Sequence, residues 1–176
     1  MTLTNKILNS LATIQNFPKD GIVFRDIMPL FLKPNLIDEI IEDFANKIKH
    51  WEVDAIVGIE SRGFLFGTIL SQKINLPFIP ARKPGKLPPP IISAEYKLEY
   101  GKDRIEIQKE SISSFKNFLI VDDVLATGGT AAAVCELIQN QNKNVKGLCV
   151  LIELSELKGI KKIPQTEFGV YSILNI

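Results

Sequence analysis

Long apolar runs are missing from this sequence: none approaches the roughly 18 residues that a membrane-spanning helix requires. Charge of one sign is missing as well, because 21 basic and 20 acidic side chains leave a net charge of +1. No overall field therefore draws the chain onto nucleic acid or an anionic membrane, and any anion must be held by a local site. Cysteine is scarce. Cys135 and Cys149 lie in apolar stretches without metal-binding spacing, which reads as two buried thiols in a reducing compartment. The sequence also has no internal repeat, no low-complexity tract, no G-x-G-x-x-G and no Walker loop closed by Lys and Ser or Thr. Those absences set aside dinucleotide and nucleoside triphosphate sites.

What is present fits one globular domain over residues 1–176, with 45% apolar and 23% charged residues. Ile7, Leu8, Leu11 and Ile14 recur at helical spacing and predict an opening helix rather than a secretion signal, so the expectation is a soluble, cytoplasmic protein. Residues 17–35, punctuated by Pro and Gly, predict a looped segment rather than core. A helix is expected over residues 35–50, where Leu36, Ile37, Ile40, Ile41, Phe44 and Ile48 trace one face. Strands and helices then alternate: strand 53–59, helix 63–74, a strand at "LPFIPA", strand 117–124, a helix from "GGTAAAV" and strand 145–154. Such alternation predicts an α/β fold built on a mainly parallel sheet flanked by helices. Residues 82–108 interrupt it with Pro and Gly and two alternating runs, predicting a protruding hairpin of the kind that serves as a lid.

"LIVDDVLATGGT" carries the strongest chemical signal. A buried strand delivers Asp122 and Asp123 to its carboxyl end, where ligands bind in open α/β sheets. Thr127, Gly128, Gly129 and Thr130 then open a helix whose unpaired N–H groups and dipole favour a phosphate. Adjacent carboxylates cannot hold that phosphate, but they accept from vicinal hydroxyls or from the water around Mg²⁺. The pair and the loop together ask for a sugar phosphate. "GIESRGF" repeats the strand-to-helix entry, with Arg62 offering a fork to an anion, although a surface Glu–Arg turn reads equally well from these residues alone. Arg82, Lys83 and Lys86 add a cationic cluster that fits either a pyrophosphate or solvent.

Two hydrophobics, two acids and a Thr/Gly run resemble the phosphoribosyl pyrophosphate signature of the type I phosphoribosyltransferases. The order "GIVFRDI", "ESRGF", "RKPGKLP", "YKLEYG" and "VDDVLATGGT" resembles the adenine-using branch of that family from about Phe17 to Leu157. The resemblance implies the type I fold, with an N-terminal helix and base-binding hood over residues 1–34 and a lid over 82–108. It implies Mg²⁺-dependent transfer of the phosphoribosyl group to adenine, giving AMP and pyrophosphate in purine salvage. Asp122 and Asp123 would then meet the ribose hydroxyls, and Ala126, Thr127, Gly128, Gly129 and Thr130 the 5′-phosphate. Glu60, Ser61 and Arg62 would form the pyrophosphate loop, with Arg82, Lys83 and Lys86 as its third wall. Val23 and Arg25 would read adenine through backbone groups, with Phe24 and Leu154 packed near the base. Glu99 would exchange the base proton, a role set against that of a solvated hairpin glutamate, and Tyr100 would help close the lid. Mg²⁺ would be held by substrate and water with no direct protein ligand, and the chain would form a homodimer that binds neither nucleic acid nor membrane. Pro88, Pro89 and Pro90 depart from the family by replacing a run that often contains glycine, which favours a stiff polyproline segment. Alternatives that share the sugar-phosphate site are a hypoxanthine, xanthine or guanine transferase and a non-catalytic regulator that senses phosphoribosyl pyrophosphate and binds nucleic acid.

Overall fold

The computed structural model describes residues 1–97 and 101–176, so Glu99 and Tyr100 lie outside the described residues. These residues form two compact units, Met1–Asn46 and Lys47–Ile176.

In the first unit the opening helix is shorter than its apolar spacing predicts. Helix α1 covers Leu3–Leu8, capped by the Thr2 hydroxyl accepting from Asn5 N–H at 3.3 Å. The Ser10 hydroxyl bonds back to the Lys6 carbonyl at 2.7 Å, a local bond that competes with helix continuation. β-branched Thr13 and Ile14 then enter strand β1, Ala12–Gln15, which pairs antiparallel with β2, Val23–Asp26. The expectation of a looped segment over 17–35 also gives way. Met28–Leu32 is a 3₁₀ turn that accommodates Pro29 near its start, and Ile27 and Leu30 are fully buried. Helix α2, Pro34–Ile48, buries Leu36, Ile37, Ile40, Ile41, Phe44 and Ile48, matching the predicted face.

The second unit holds a five-stranded parallel sheet in the order β4-β3-β7-β8-β9. Its strands are β3 (Ala55–Ile59), β4 (Phe78–Ala81), β7 (Asn117–Leu125), β8 (Asn144–Glu153) and β9 (Val170–Asn175). Helices α3 (Gly63–Ile74) and α5 (Gly129–Gln139) follow β3 and β7. Strands β5 (Ile91–Lys97) and β6 (Lys102–Gln108) form the predicted antiparallel hairpin, and the short α4 (Lys109–Ser113) leads out of it. Pro88–Pro90 lead into β5, with the Pro89–Pro90 peptide cis.

The chain leaves β3 towards β4 on one side and leaves β7 towards β8 on the other. Adjacent strands that wind away in opposite directions open a crevice at their carboxyl ends, where open α/β sheets bind ligands. Pairing between β3 and β7 stops at Gly58–Val121, whereas β7 stays paired with β8 as far as Leu125–Glu153. The two acids therefore sit among the last residues of a strand slightly longer than expected, on the edge that β3 has left. All five residues of β3 are buried, and with Phe118–Val121 they anchor both sides of the crevice in the core.

Candidate active site

Asp122 and Asp123 stand at this crevice with different surroundings. Asp122 Oδ1 accepts from Asp123 N–H at 2.9 Å, and Gly63 at the start of α3 presses against it. A Cβ on Gly63 would fall 2.7 Å from the Val121 carbonyl oxygen and 2.9 Å from Asp122 Oδ1, so only glycine lets the helix end approach this closely. Burial, reinforced by the Asp123 charge, pushes the Asp122 carboxyl well above its usual range. Asp123 is also raised by burial, with Arg62 opposing the shift. Arg62 Nε lies 2.9 Å from Asp123 Oδ2, yet its N–H is not aligned with that oxygen, which lacks a hydrogen-bond partner among the described residues. A buried acceptor of this kind fits a hydroxyl or a hydrated cation brought by a ligand. No group of three or more His, Cys, Asp or Glu among the described residues could hold a metal by itself.

The loop after Asp123 runs through Ala126 and Thr127 to Gly128, whose positive φ of +77° turns it into α5. A cavity of about 90 Å³ is lined by Asp122 and Val124–Ala131, small and polar, as an anion at a helix N-terminus requires.

Across the crevice, Glu60, Ser61 and Arg62 link β3 to α3 through a cis Glu60–Ser61 peptide. Glu60 braces the cationic segment that follows β4. Its carboxylate accepts from Arg82 Nε at 3.2 Å, Arg82 Nη2 at 3.3 Å and Lys83 N–H at 2.8 Å. Burial opposes ionisation of Glu60, but the Lys83 N–H and Arg82 outweigh it and hold its pKa below the ordinary value. Arg82 also pairs through its backbone with Glu106 of β6, at 2.8 and 2.7 Å, so the hairpin root is fixed to the same clamp. Lys83 Nζ donates to Asp103 Oδ2 at 2.8 Å, and the Tyr96 hydroxyl donates to the same oxygen at 3.0 Å. The Asp103 bond is the main cause that raises Lys83 and, in return, lowers Asp103. Lys86 is exposed, and its carbonyl accepts from Arg82 Nη1 at 3.4 Å.

Glu60, Ser61, Arg62, Arg82, Lys83, Lys86, Asp122, Asp123 and Ala126–Thr130 thus all belong to the second unit. Leu154 joins them at the end of β8, where its N–H donates to Leu125 at 2.9 Å. Val23, Phe24 and Arg25 belong to the first unit, on β2, where Arg25 donates to the Thr13 hydroxyl and the Phe24 ring meets Phe17 edge-on at 5.1 Å. Sequence reasoning missed Asp103 and Tyr96. Their signal was the alternation of the hairpin, which places both on one paired rung, Tyr96 opposite Asp103.

Residues 30–174 match the family model described as a phosphoribosyl transferase domain. The chain is 49% identical over 172 residues to an adenine phosphoribosyltransferase of Prochlorococcus marinus, covering 98% of each chain. It is similar to the crystal structure of adenine phosphoribosyltransferase from Thermoanaerobacter pseudethanolicus, with a TM-score of 0.93 and 38% identity over 99% of this chain and 100% of that one. The Saccharomyces cerevisiae adenine phosphoribosyltransferase complexed with an imino-altritol bisphosphate and adenine gives a TM-score of 0.88 at 38% identity, covering 97% of both chains.

Proposed function

The chain belongs to the phosphoribosyltransferase family, and from that membership we propose that it joins adenine to the ribose of phosphoribosyl pyrophosphate, releasing AMP and pyrophosphate. The observation that carries this reading is the pair of anion loops facing each other across the crevice between β3 and β7, with Asp122 and Asp123 between them. One loop fits a 5′-phosphate. The other, braced by Glu60 and flanked by Arg62, Arg82, Lys83 and Lys86, fits pyrophosphate. Two anion loops with a pair of carboxylates between them suit a molecule that is anionic at both ends and hydroxylated in the middle.

Bond breaking at the anomeric carbon leaves positive charge on the sugar and negative charge on the leaving pyrophosphate. Arg82 and Lys83 stabilise that leaving group from fixed positions, because Glu60 and Asp103 hold them before substrate arrives. Asp122 and Asp123 accept from the ribose hydroxyls and keep the anomeric carbon aligned with the base nitrogen. Mg²⁺, when bound to the substrate, would neutralise pyrophosphate oxygens, and the unsatisfied Asp123 Oδ2 suits a water of its shell. The hairpin excludes water that would hydrolyse the sugar. Glu99, next to Tyr100 in the sequence, takes the proton that adenine loses as the glycosidic bond forms.

Adenine selection rests on backbone groups of the first unit. Val23 and Arg25 lie on β2, opposite Gln15 and Thr13 of β1, and offer backbone groups to the base. A backbone C=O accepts from the exocyclic amine of adenine and an N–H donates to a ring nitrogen, a pattern that a carbonyl-bearing purine cannot satisfy. Phe24 on the same strand supplies apolar contact to the base. The deciding experiment incubates the chain with Mg²⁺, phosphoribosyl pyrophosphate and each purine or pyrimidine in turn, then identifies the nucleotide formed. AMP with adenine is expected, and comparable turnover of hypoxanthine overturns the base assignment.

The enzyme works as a cytoplasmic homodimer that binds neither nucleic acid nor membrane. Among the described residues, no helix is long and apolar enough to cross a membrane. Ile27 and Leu30 of "IMPLFLKP" are already buried, but Met28 and Leu32 remain 47% and 84% exposed and supply apolar surface for a partner subunit. Light scattering at micromolar concentration checks the dimer, and filter binding at physiological salt checks the nucleic acid.

A further inference from the structure

We propose that Gly159, far from the signature in sequence, is a positioning residue that sets the backbone of the phosphate loop. It opens a short 3₁₀ turn, Gly159–Lys162, and is buried beneath that loop. A Cβ added to Gly159 would lie 2.1 Å from the Ala126 carbonyl oxygen and 2.8 Å from Gly128 N. In the opposite direction, a Cβ on Gly128 would lie 2.3 Å from the Gly159 carbonyl oxygen. All three opposing atoms are backbone, so no flexible side chain can swing away to relieve the clash. Two backbones meet here with nothing between them.

The segment reaches this place by a short route. Leu154 N–H is tied to Leu125 at 2.9 Å as β8 ends, and Lys158, at a positive φ of 51°, turns the chain into Gly159. The turn thus forms the floor under Ala126–Gly128, directly before the first N–H groups of α5. The same residues line the 90 Å³ cavity, and the aim of their N–H groups depends on where the floor stops the loop. Relieving a 2.1 Å contact requires the loop to shift by about 1 Å, a displacement that can cost on the order of a hundredfold when it misplaces binding groups.

The inference rests on the reading of this loop as the 5′-phosphate site. Gly159→Ala should raise KM for phosphoribosyl pyrophosphate by about tenfold or more, with KM for adenine nearly unchanged. Because both substitutions break one contact, Gly128→Ala combined with Gly159→Ala should cost little more than the worse single variant. Gly169→Ala is the stability control: its φ is +70° and nothing lies within 4 Å of the added Cβ, so it should lower the melting temperature without moving KM. Normal KM in a folded Gly159→Ala enzyme overturns the proposal. If that variant does not fold, hydrogen exchange on the unmodified chain decides. Ribose 5-phosphate should raise amide protection in residues 126–130 and 155–162 together, and protection confined to the first segment overturns it. Absence of adenine turnover and of any protection in the unmodified chain would instead overturn the reading of the loop itself.

Discussion

Replacing Asp122 with Asn should make the protein more stable and less able to bind its substrate. The Asp122 carboxyl is raised by burial and by the charge of Asp123, so the fold carries a penalty whenever that group is ionised. Asn keeps the shape, and its amide oxygen can still accept from Asp123 N–H, as Asp122 Oδ1 does at 2.9 Å. A raised folded pKa means that the contribution of the carboxyl to stability is fully present below about pH 4, the unfolded value, and is lost as pH rises through the folded value. The melting temperatures of wild type and Asp122→Asn should therefore coincide near about pH 4 and separate towards neutrality, with the variant higher. The Asp122 side chain keeps some solvent contact at the crevice mouth, which screens part of this penalty. A gain of about 1 kcal/mol, or roughly 2–4 °C in a chain of this size, is expected. Asp123→Asn should gain less, because it also breaks the Arg62 pairing at 2.9 Å. Scanning fluorimetry across pH, beside kinetics with varied phosphoribosyl pyrophosphate, measures both effects. A melting temperature that falls at neutral pH while KM stays normal would refute the reasoning and return the acids to a structural role.

Glu60→Gln should loosen Arg82 and the Lys83 amide, raising KM for pyrophosphate in the reverse reaction by about tenfold, the scale of one charge-assisted bond. Because Glu60 is held below its ordinary value, the wild-type clamp should survive acidification through the range in which an ordinary glutamate titrates, and pyrophosphate affinity should fall only below that range. Tyr96→Phe deletes one of the two donors to Asp103 Oδ2 and should cost about 1 kcal/mol of stability by thermal melting, with KM for adenine unchanged. Glu99→Gln should lower kcat by on the order of 10² to 10⁴ at nearly constant substrate affinity, and a near-normal single-turnover rate would remove Glu99 from the mechanism.

The parts of the fold that were legible are those where one strong pattern acts alone. Helix α3 has its predicted bounds, Gly63–Ile74, because a glycine entry and a continuous apolar stretch leave no competing reading. The α2 face was legible for the same reason. At the N-terminus, Ile7, Leu8, Leu11 and Ile14 satisfy a helical period only by accident: Leu8 and Ile14 are both over 40% exposed, and the last of them is on a strand. Residues 17–35 misled in the other direction, because proline and glycine mark the turns around Ile27 and Leu30 and say nothing about how deeply those two are buried. In β9, Val170, Tyr171, Ile173 and Leu174 show no alternation, so an edge strand could not be told from an apolar tail.

At the site, the contiguous candidates were legible in the sequence, whereas Asp103 and Gly159, which brace their neighbours, were not. Asp122, Asp123 and the Thr/Gly run announce themselves because binding a sugar phosphate demands those groups in contiguous order. Asp103 and Gly159 answer to contacts formed by folding. Each principal cation around the crevice has an acid beside it: Arg62 with Asp123, Arg82 with Glu60 and Lys83 with Asp103. A substrate with anions at both ends therefore does not enter a bare positive pocket. It meets cations already oriented by carboxylates, and it must share or displace those partners as it binds. That arrangement reconciles a chain of net charge +1 with the capture of a highly charged sugar phosphate, since the attraction is local and is released only where the ligand's geometry competes with the internal partners. It also explains why charge counting alone could not locate the site: the acids that orient the cations cancel them in any sum over the sequence.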